Sequence, residues 1–335
     1  MKDSKPIENY APDNSSRCSH TQSRQVFGRQ VLYRSNNAQV ISRLQACFGN
    51  WGSLPESMVR NDGELQADIV VLDTRCRPPP TSYDFSYDLD DSEFKAEYLD
   101  NRIYVDRSSG RAIAHVTLDL FENGPAFDWF VLEPLTYMLV NASRVPFHAS
   151  AVARGNHAVA LIGRSGAGKS SLAFACVRLG ASLLAEDVVY VGVGDDRHVW
   201  GHANRIHLLP DSTALFPDLA GQQPKARPNG KSAITVLLGN SDRYRAALYA
   251  DCITACVLYP DHANARSSIV PLQRTRVRNM LTGSEPVYEL ETKNFPEALD
   301  RLLERQPYLL RVGSDIGSAA GLVMDLLAGE QGRPD

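Results

Sequence analysis

The segment Gly163-Arg-Ser-Gly-Ala-Gly-Lys-Ser170 limits what this chain can fold into more than any other part of it. It satisfies Gly-x-x-x-x-Gly-Lys-Ser. It also stands between an apolar run with strand character, Ala158-Val-Ala-Leu-Ile162, and a stretch with helical apolar spacing at Leu172, Ala175, Cys176 and Leu179. Strand, glycine loop and helix in that order make a phosphate-binding loop. Gly163, Gly166 and Gly168 let backbone N–H groups turn inward around phosphate oxygens without a Cβ in the way. The helix that follows directs its positive end at the same anion, Lys169 adds a point charge, and the Ser170 hydroxyl is a ligand for Mg²⁺. Gly163, Arg164, Ser165, Gly166, Ala167, Gly168, Lys169, Ser170 and Ser171 are thus expected to bind a nucleotide, ATP with Mg²⁺. Gly180 stands where a helix C-terminal glycine belongs.

Such loops serve many chemistries, so the neighbouring residues must decide the class. Ser150 to Ala153 alternates small and apolar residues and Gly155-Asn156 supplies a turn, which feeds the loop strand from an antiparallel hairpin. Glu186 and Asp187 follow the strand candidate Ser182-Leu-Leu-Ala185, where one crossover helix would deliver them. Two adjacent carboxylates there can divide the work, one toward Mg²⁺ and one toward a hydroxyl or water. His148, just ahead of the hairpin, is a third candidate; a lone histidine is more often structural.

Taken together, Phe147-His-Ala-Ser-Ala-Val152, the glycine loop and Leu184-Ala-Glu-Asp-Val188 resemble the HPr kinase/phosphorylase family, and more closely its HPr-kinase-like serine kinases, including lasso-peptide kinases. The resemblance runs from about Phe147 to Ala328 and weakens after Leu209. It implies an α/β fold with a mixed-sheet P-loop kinase domain like that of HPr kinase and phosphoenolpyruvate carboxykinase. It also implies ATP-dependent phosphorylation of a Ser or Thr hydroxyl on a peptide or protein, among them a ribosomally made lasso-type precursor. Lys169 and Ser170 map onto the family's phosphate and Mg²⁺ contacts, and His148 onto the histidine that partners the acidic pair. Asp187 matches the second acidic position and Glu186 replaces an aspartate at the first, both as metal and catalytic candidates. Which of them is the base stays open. Arg205, in Arg205-Ile-His-Leu-Leu-Pro210, and Lys231, in Asn229-Gly-Lys-Ser232, are substrate candidates; those segments and Pro286-Val-Tyr-Glu-Leu290 are similar to ones in the HPr-kinase-like relatives. No counterpart of the bifunctional enzymes' glycine-rich Ile-Ile-Asn-Val stretch is present, which argues against phosphorolysis and against HPr as substrate. The bifunctional members assemble into hexamers, but with that stretch missing their assembly does not carry over; a homo-oligomer stays compatible. The alternatives are a kinase of a small hydroxyl substrate such as free serine, and a non-catalytic ATP-binding regulator.

Composition narrows the partners. With 35 Lys and Arg against 39 Asp and Glu, the net charge is −4 over 335 residues, which argues against general nucleic-acid binding. That total conceals eight acidic side chains between Tyr83 and Asp106 and nine basic ones between Lys225 and Arg278, the latter a candidate patch for an acidic acceptor. No apolar run is long enough for a membrane span, no signal peptide is evident, and six unpaired-looking cysteines fit a reducing cytoplasm. Four regions are expected. Residues 1–25 form a polar, flexible arm and residues 26–140 a smaller strand-rich α+β module, a candidate for substrate binding. Residues 141–328 form the catalytic domain and residues 329–335 a tail. Phe127 to Val140 reads as a buried helix.

Overall fold

Phe27 and Gly28 both take left-handed backbone angles, φ 52° and 71°, and so fold the chain's polar beginning back on itself. In the computed structural model, which describes residues 18–76, 83–90, 92–228, 230–238, 244–282 and 293–329, this turn joins β1 (His20–Val26) to β2 (Arg29–Ser35) in an antiparallel pair. Residues 20–25 are therefore strand, not the flexible arm the sequence suggested. The reason is position: β1 lies at a sheet edge, where every side chain before Val26 is at least partly exposed, so the strand carries no apolar alternation to read. Residues 1–17 of that arm, Pro78-Pro-Pro80, Asn229, Pro286-Val-Tyr-Glu-Leu290 and residues 330–335 of the expected tail lie outside the described residues.

Contacts divide the chain into two units. The first comprises residues 1–142 and 226–231. After β2 come α1 (Ala38–Phe48), β3 (Arg60–Val71), β4 (Ser86–Leu89), β5 (Glu93–Tyr98), β6 (Asn101–Asp106) and β7 (Arg111–Val116). They form a sheet in the order β1-β2-β3-β7-β6-β5-β4, with β3 parallel to both β2 and β7. The short helices α2 (Leu118–Glu122) and α3 (Gly124–Phe127) lead through a π turn at Asp128–Leu132 into α4 (Glu133–Val140), which is buried throughout after Glu133. Phe27, Phe48, Trp51 and Tyr137 pack ring against ring, and the Tyr33 hydroxyl meets Thr136 Oγ1 at 2.9 Å.

The second unit comprises residues 143–225 and 232–335. It opens with β8 (Arg144–Arg154) and β9 (His157–Ile162), antiparallel across a turn in which Gly155 has φ 59°. Then follow α5 (Lys169–Arg178), β10 (Ser182–Ala185), β11 (Val188–Gly192), β12 (Val199–Gly201) and β13 (Arg205–Leu208). After β14 (Lys225–Ala226), at the division between the units, come β15 (Ser232–Leu237), β16 (Arg245–Ala246), β17 (Tyr249–Ala250), β18 (Cys252–Pro260) and β19 (Ser268–Pro271). α6 (Arg274–Thr282), α7 (Phe295–Leu302), β20 (Tyr308–Val312) and α8 (Ile316–Ala328) complete the unit. The fold is mixed α/β: β9, β18 and β20 run parallel, while β8 is antiparallel to β9, β10 and β11.

Apolar residues of both sheet faces are buried, and the period of two assigns each side chain to a face. Val145, Phe147, Ala149, Ala151 and Ala153 of β8 pack with Leu299 and Leu302 of α7. Val152 of β8 and Leu161 of β9 pack with Leu172 and Cys176 of α5 and Val323 of α8. His148 and Ser150, in step with Val152, thus stand on the face of β8 that carries α5. Among the described residues, no helix is long and apolar enough to cross a membrane.

Candidate functional site

Two strands end beside the same stretch of β8. Ile162, the last residue of β9, lies opposite Ala149, and Ala185, the last of β10, lies opposite Ala151. β9 and β10 both run antiparallel to β8, so their C-terminal ends point the same way. The glycine loop leaves one of them and Glu186-Asp187 the other. The crossover through α5 has stepped over β8 to make this possible.

In the loop, Gly166 and Gly168 have φ 81° and 86°, a region that costs other residues about 1 kcal/mol or more. Gly163 packs closely: a Cβ there would come within 3.0 Å of Ala167 Cβ and 3.4 Å of Leu258 Cβ. Gly168 precedes α5, and no side chain caps that helix start, so its first-turn N–H groups face the loop mouth. Lys169, the first residue of α5, is only 7% exposed. Its ammonium donates to Gly163 O at 2.8 Å and to Arg164 O at 3.3 Å, and lies 3.1 Å from His148 Nε2. Arg164 and Ser165 are exposed, and Ser170 and Ser171, next in sequence after the lysine, are half-buried.

His148 extends this contact to the acidic pair. Its Nδ1 lies 3.3 Å from Asp187 Oδ1. Since Lys169 can only donate, Nε2 is the accepting nitrogen and Nδ1 carries the proton toward Asp187. Lys169, His148 and Asp187 therefore form one chain of contacts across the mouth of the loop. Next to it, β8 holds the backbone of the pair. Ala149 N–H donates to Asp187 O at 3.0 Å, and the buried Ser150 hydroxyl donates to Glu186 O. The ladder resumes at once, with Val188 opposite His148.

Glu186 goes elsewhere. Its carboxylate is bound by His207 of β13, with Nδ1 2.7 Å from Oε2 and the backbone N–H 2.8 Å from Oε1. The two members of the acidic pair thus differ sharply in access: the Asp187 side chain is 62% exposed and that of Glu186 16%. Neither His207 nor the anchoring by Ser150 was picked out from the sequence. Arg205 and His207 share a face of β13, opposite the core residues Ile206 and Leu208. That alternation is the available signal for His207, whereas Arg205 is a candidate through the resemblance.

Arg205 is half-buried at the start of β13, and its charge is one cause, after burial, that pushes the His202 imidazole down to about 3. Lys231 is exposed and belongs to the segment of the first unit that holds Arg227 over the Trp129 ring at 4.6 Å. Within the basic stretch, Arg278 pairs with Asp300 and Arg274 donates to Glu304 O at 2.6 Å, while Arg227 belongs to the first unit. Among the described residues, no three or more His, Cys, Asp or Glu side chains are grouped to hold a metal by themselves. Ser170 with one carboxylate and phosphate oxygens is the donor set available to Mg²⁺, a cation that takes few protein ligands beside substrate phosphates.

No protein-family model matches the sequence, and no curated protein matches it. Among solved structures the chain is similar to the Hpr(Ser) kinase/phosphatase from Coxiella burnetii, at 13% identity and a TM-score of 0.24, over 56% of this chain and 89% of that one.

Proposed function

We propose that this chain is an ATP-dependent phosphotransferase that moves the γ-phosphoryl group to a Ser or Thr hydroxyl of a peptide or protein, a ribosomally made precursor peptide being the first acceptor to try. The observation that carries the reading is the chain of contacts from Lys169 through His148 to Asp187 at the mouth of the glycine loop. A buried ammonium, an uncapped helix start and two left-handed glycines fit a polyphosphate. Mg²⁺, when bound, neutralises charge on the phosphates. Lys169 holds phosphate oxygens and steadies charge on the transferring group. Ser170 and one carboxylate would hold the cation. Asp187, the more exposed carboxylate, accepts the proton of the incoming hydroxyl. His148 keeps that carboxylate facing the lysine. The hydroxyl oxygen forms the new O–P bond as the bond to the leaving diphosphate breaks, with no covalent enzyme intermediate.

The test uses labelled ATP and peptides bearing Ser or Thr, with mass spectrometry to find the phosphorylated residue. Asp187→Asn is expected to reduce turnover by about 10²- to 10⁴-fold. ATP affinity and the melting temperature should stay near wild type, because Asp187 is exposed. Lys169→Ala is expected to abolish transfer. Full transfer by Asp187→Asn refutes the base assignment. Transfer to free serine with no peptide present moves the acceptor to the small-molecule class, and ATP turnover with no phosphorylated acceptor favours a regulator.

A further inference from the structure

One residue grips the Glu186 carboxylate at both oxygens. The His207 N–H donates to Oε1 at 2.8 Å, and Nδ1 lies 2.7 Å from Oε2 and 3.0 Å from Oε1. Both side chains are largely withdrawn from solvent, at 10% and 16% exposure. The grip is rigid because β13 is. His207 lies opposite Thr235 in the antiparallel pairing with β15, and its neighbours Ile206 and Leu208 are fixed in the core. On the other side, Ser150 holds the Glu186 carbonyl to β8. Glu186 is thus tied at its backbone to one strand and at its carboxylate to another, which removes the freedom of all three of its side-chain torsions.

We infer that His207 is a positioning residue for phosphoryl transfer: by fixing Glu186 it separates two neighbouring carboxylates and leaves Asp187 to meet the acceptor. The inference rests on the kinase reading above and adds a residue to it. A carboxylate free to rotate would compete with Asp187 for His148 and Lys169. A carboxylate bound to His207 keeps its charge near the site at a constant place, and the chain Asp187-His148-Lys169 keeps its geometry. Charge-assisted hydrogen bonds of this kind are the strong ones among side chains.

Three variants test it: His207→Ala, His207→Asn and His207→Gln. All keep the backbone N–H. An asparagine amide places its donor close to where Nδ1 was, while a glutamine amide places it nearer Nε2. Turnover is expected to fall about 10- to 100-fold in His207→Ala and His207→Gln, and less than about threefold in His207→Asn. The KM for ATP should stay within about twofold in all three, since the glycine loop is untouched. A purely structural role predicts that Asn and Gln behave alike, so equal losses in those two overturn the inference. Wild-type turnover in His207→Ala, or a raised KM for ATP at unchanged kcat, also overturns it. Should His207→Ala fail to fold, as thermal melting would reveal, the comparison of Asn with Gln decides. A wild-type protein that binds ATP but transfers to no hydroxyl refutes the kinase reading, and the positioning role falls with it. An active wild type with an unaffected His207→Ala refutes the positioning role alone.

Discussion

Ser150→Ala probes the anchoring of the acidic pair while leaving every group at the loop mouth in place. Ser150 is fully buried, and its hydroxyl donates to Glu186 O at the point where β10 gives way to β11. Alanine fits sterically, since Ala149, Ala151 and Ala153 occupy the same strand. What is lost is one hydrogen bond, and a carbonyl left without its donor, together about 1–2 kcal/mol. For a domain of this size that lowers the melting temperature by roughly 2–8 °C. The functional effect is expected to be at least as large in proportion. Asp187 reaches His148 across 3.3 Å only while the backbone at 186 and 187 is held to β8. If the same 1–2 kcal/mol of restraint is missing in the transition state, turnover falls about 5- to 30-fold. Differential scanning calorimetry and steady-state transfer at saturating ATP measure the two effects, with Ser150→Cys, a weaker donor of similar shape, expected between them. A Ser150→Ala protein that melts earlier yet turns over like wild type would show that the restraint is structural only. Wild-type values in both assays would show that the hydrogen bond contributes nothing.

Two further outcomes concern the framework. A Cβ on Gly201 would run into the carbonyl group of Leu184, two residues before Glu186, so Gly201→Ala should destabilise by about 2–3 kcal/mol, read as a lower urea midpoint; an unchanged midpoint would contradict this. His157 is buried, with Nε2 2.9 Å from Thr254 Oγ1, and burial, reinforced by the Arg305 charge, pushes its imidazole from the ordinary 6.5 to about 4. The folded state therefore refuses a proton that the unfolded chain accepts. Stability is full above pH 6.5 and falls by about 3 kcal/mol as the pH drops to 4, a loss His157→Gln should remove in urea titrations at the two pH values.

How much was legible in the sequence depended on whether a feature is local. The glycine loop and the hairpin at Gly155-Asn156 are contiguous patterns, and the folded chain has strand, turn and helix there. Ser150 carries no such mark. Its partner is a backbone carbonyl 36 positions away, and a small residue in a small-apolar alternation reads as filler. His207 is hidden for the same reason, since it meets Glu186 only once β13 has been laid beside the end of β10. α1 was missed despite a local signature: Asn37 accepts from Gln39 N–H as the helix cap, and Val40, Leu44 and Cys47 recur at helical spacing. Charge runs take their meaning from the folded chain. In the acidic stretch, Asp90 accepts from Ser92 and Glu93, and Asp106 accepts from Ser108 and Ser109, so these carboxylates close turns.

The glutamate at 186, where the resembled family has aspartate, also has a geometric reason. Asp187 is short and reaches His148, a residue of the strand to which its own backbone is bonded. Glu186 must cross from the end of β10 to β13, a strand of a different sheet, and meet both the backbone N–H and the Nδ1 of His207. Removing one methylene shortens that reach by about one C–C bond, some 1.5 Å, against a hydrogen-bond window only about 0.5 Å wide, so an aspartate could not keep both contacts. The pair is therefore asymmetric by construction: the longer side chain serves the fixed position and the shorter one the exposed position, and the extra methylene fits a carboxylate that is held in place.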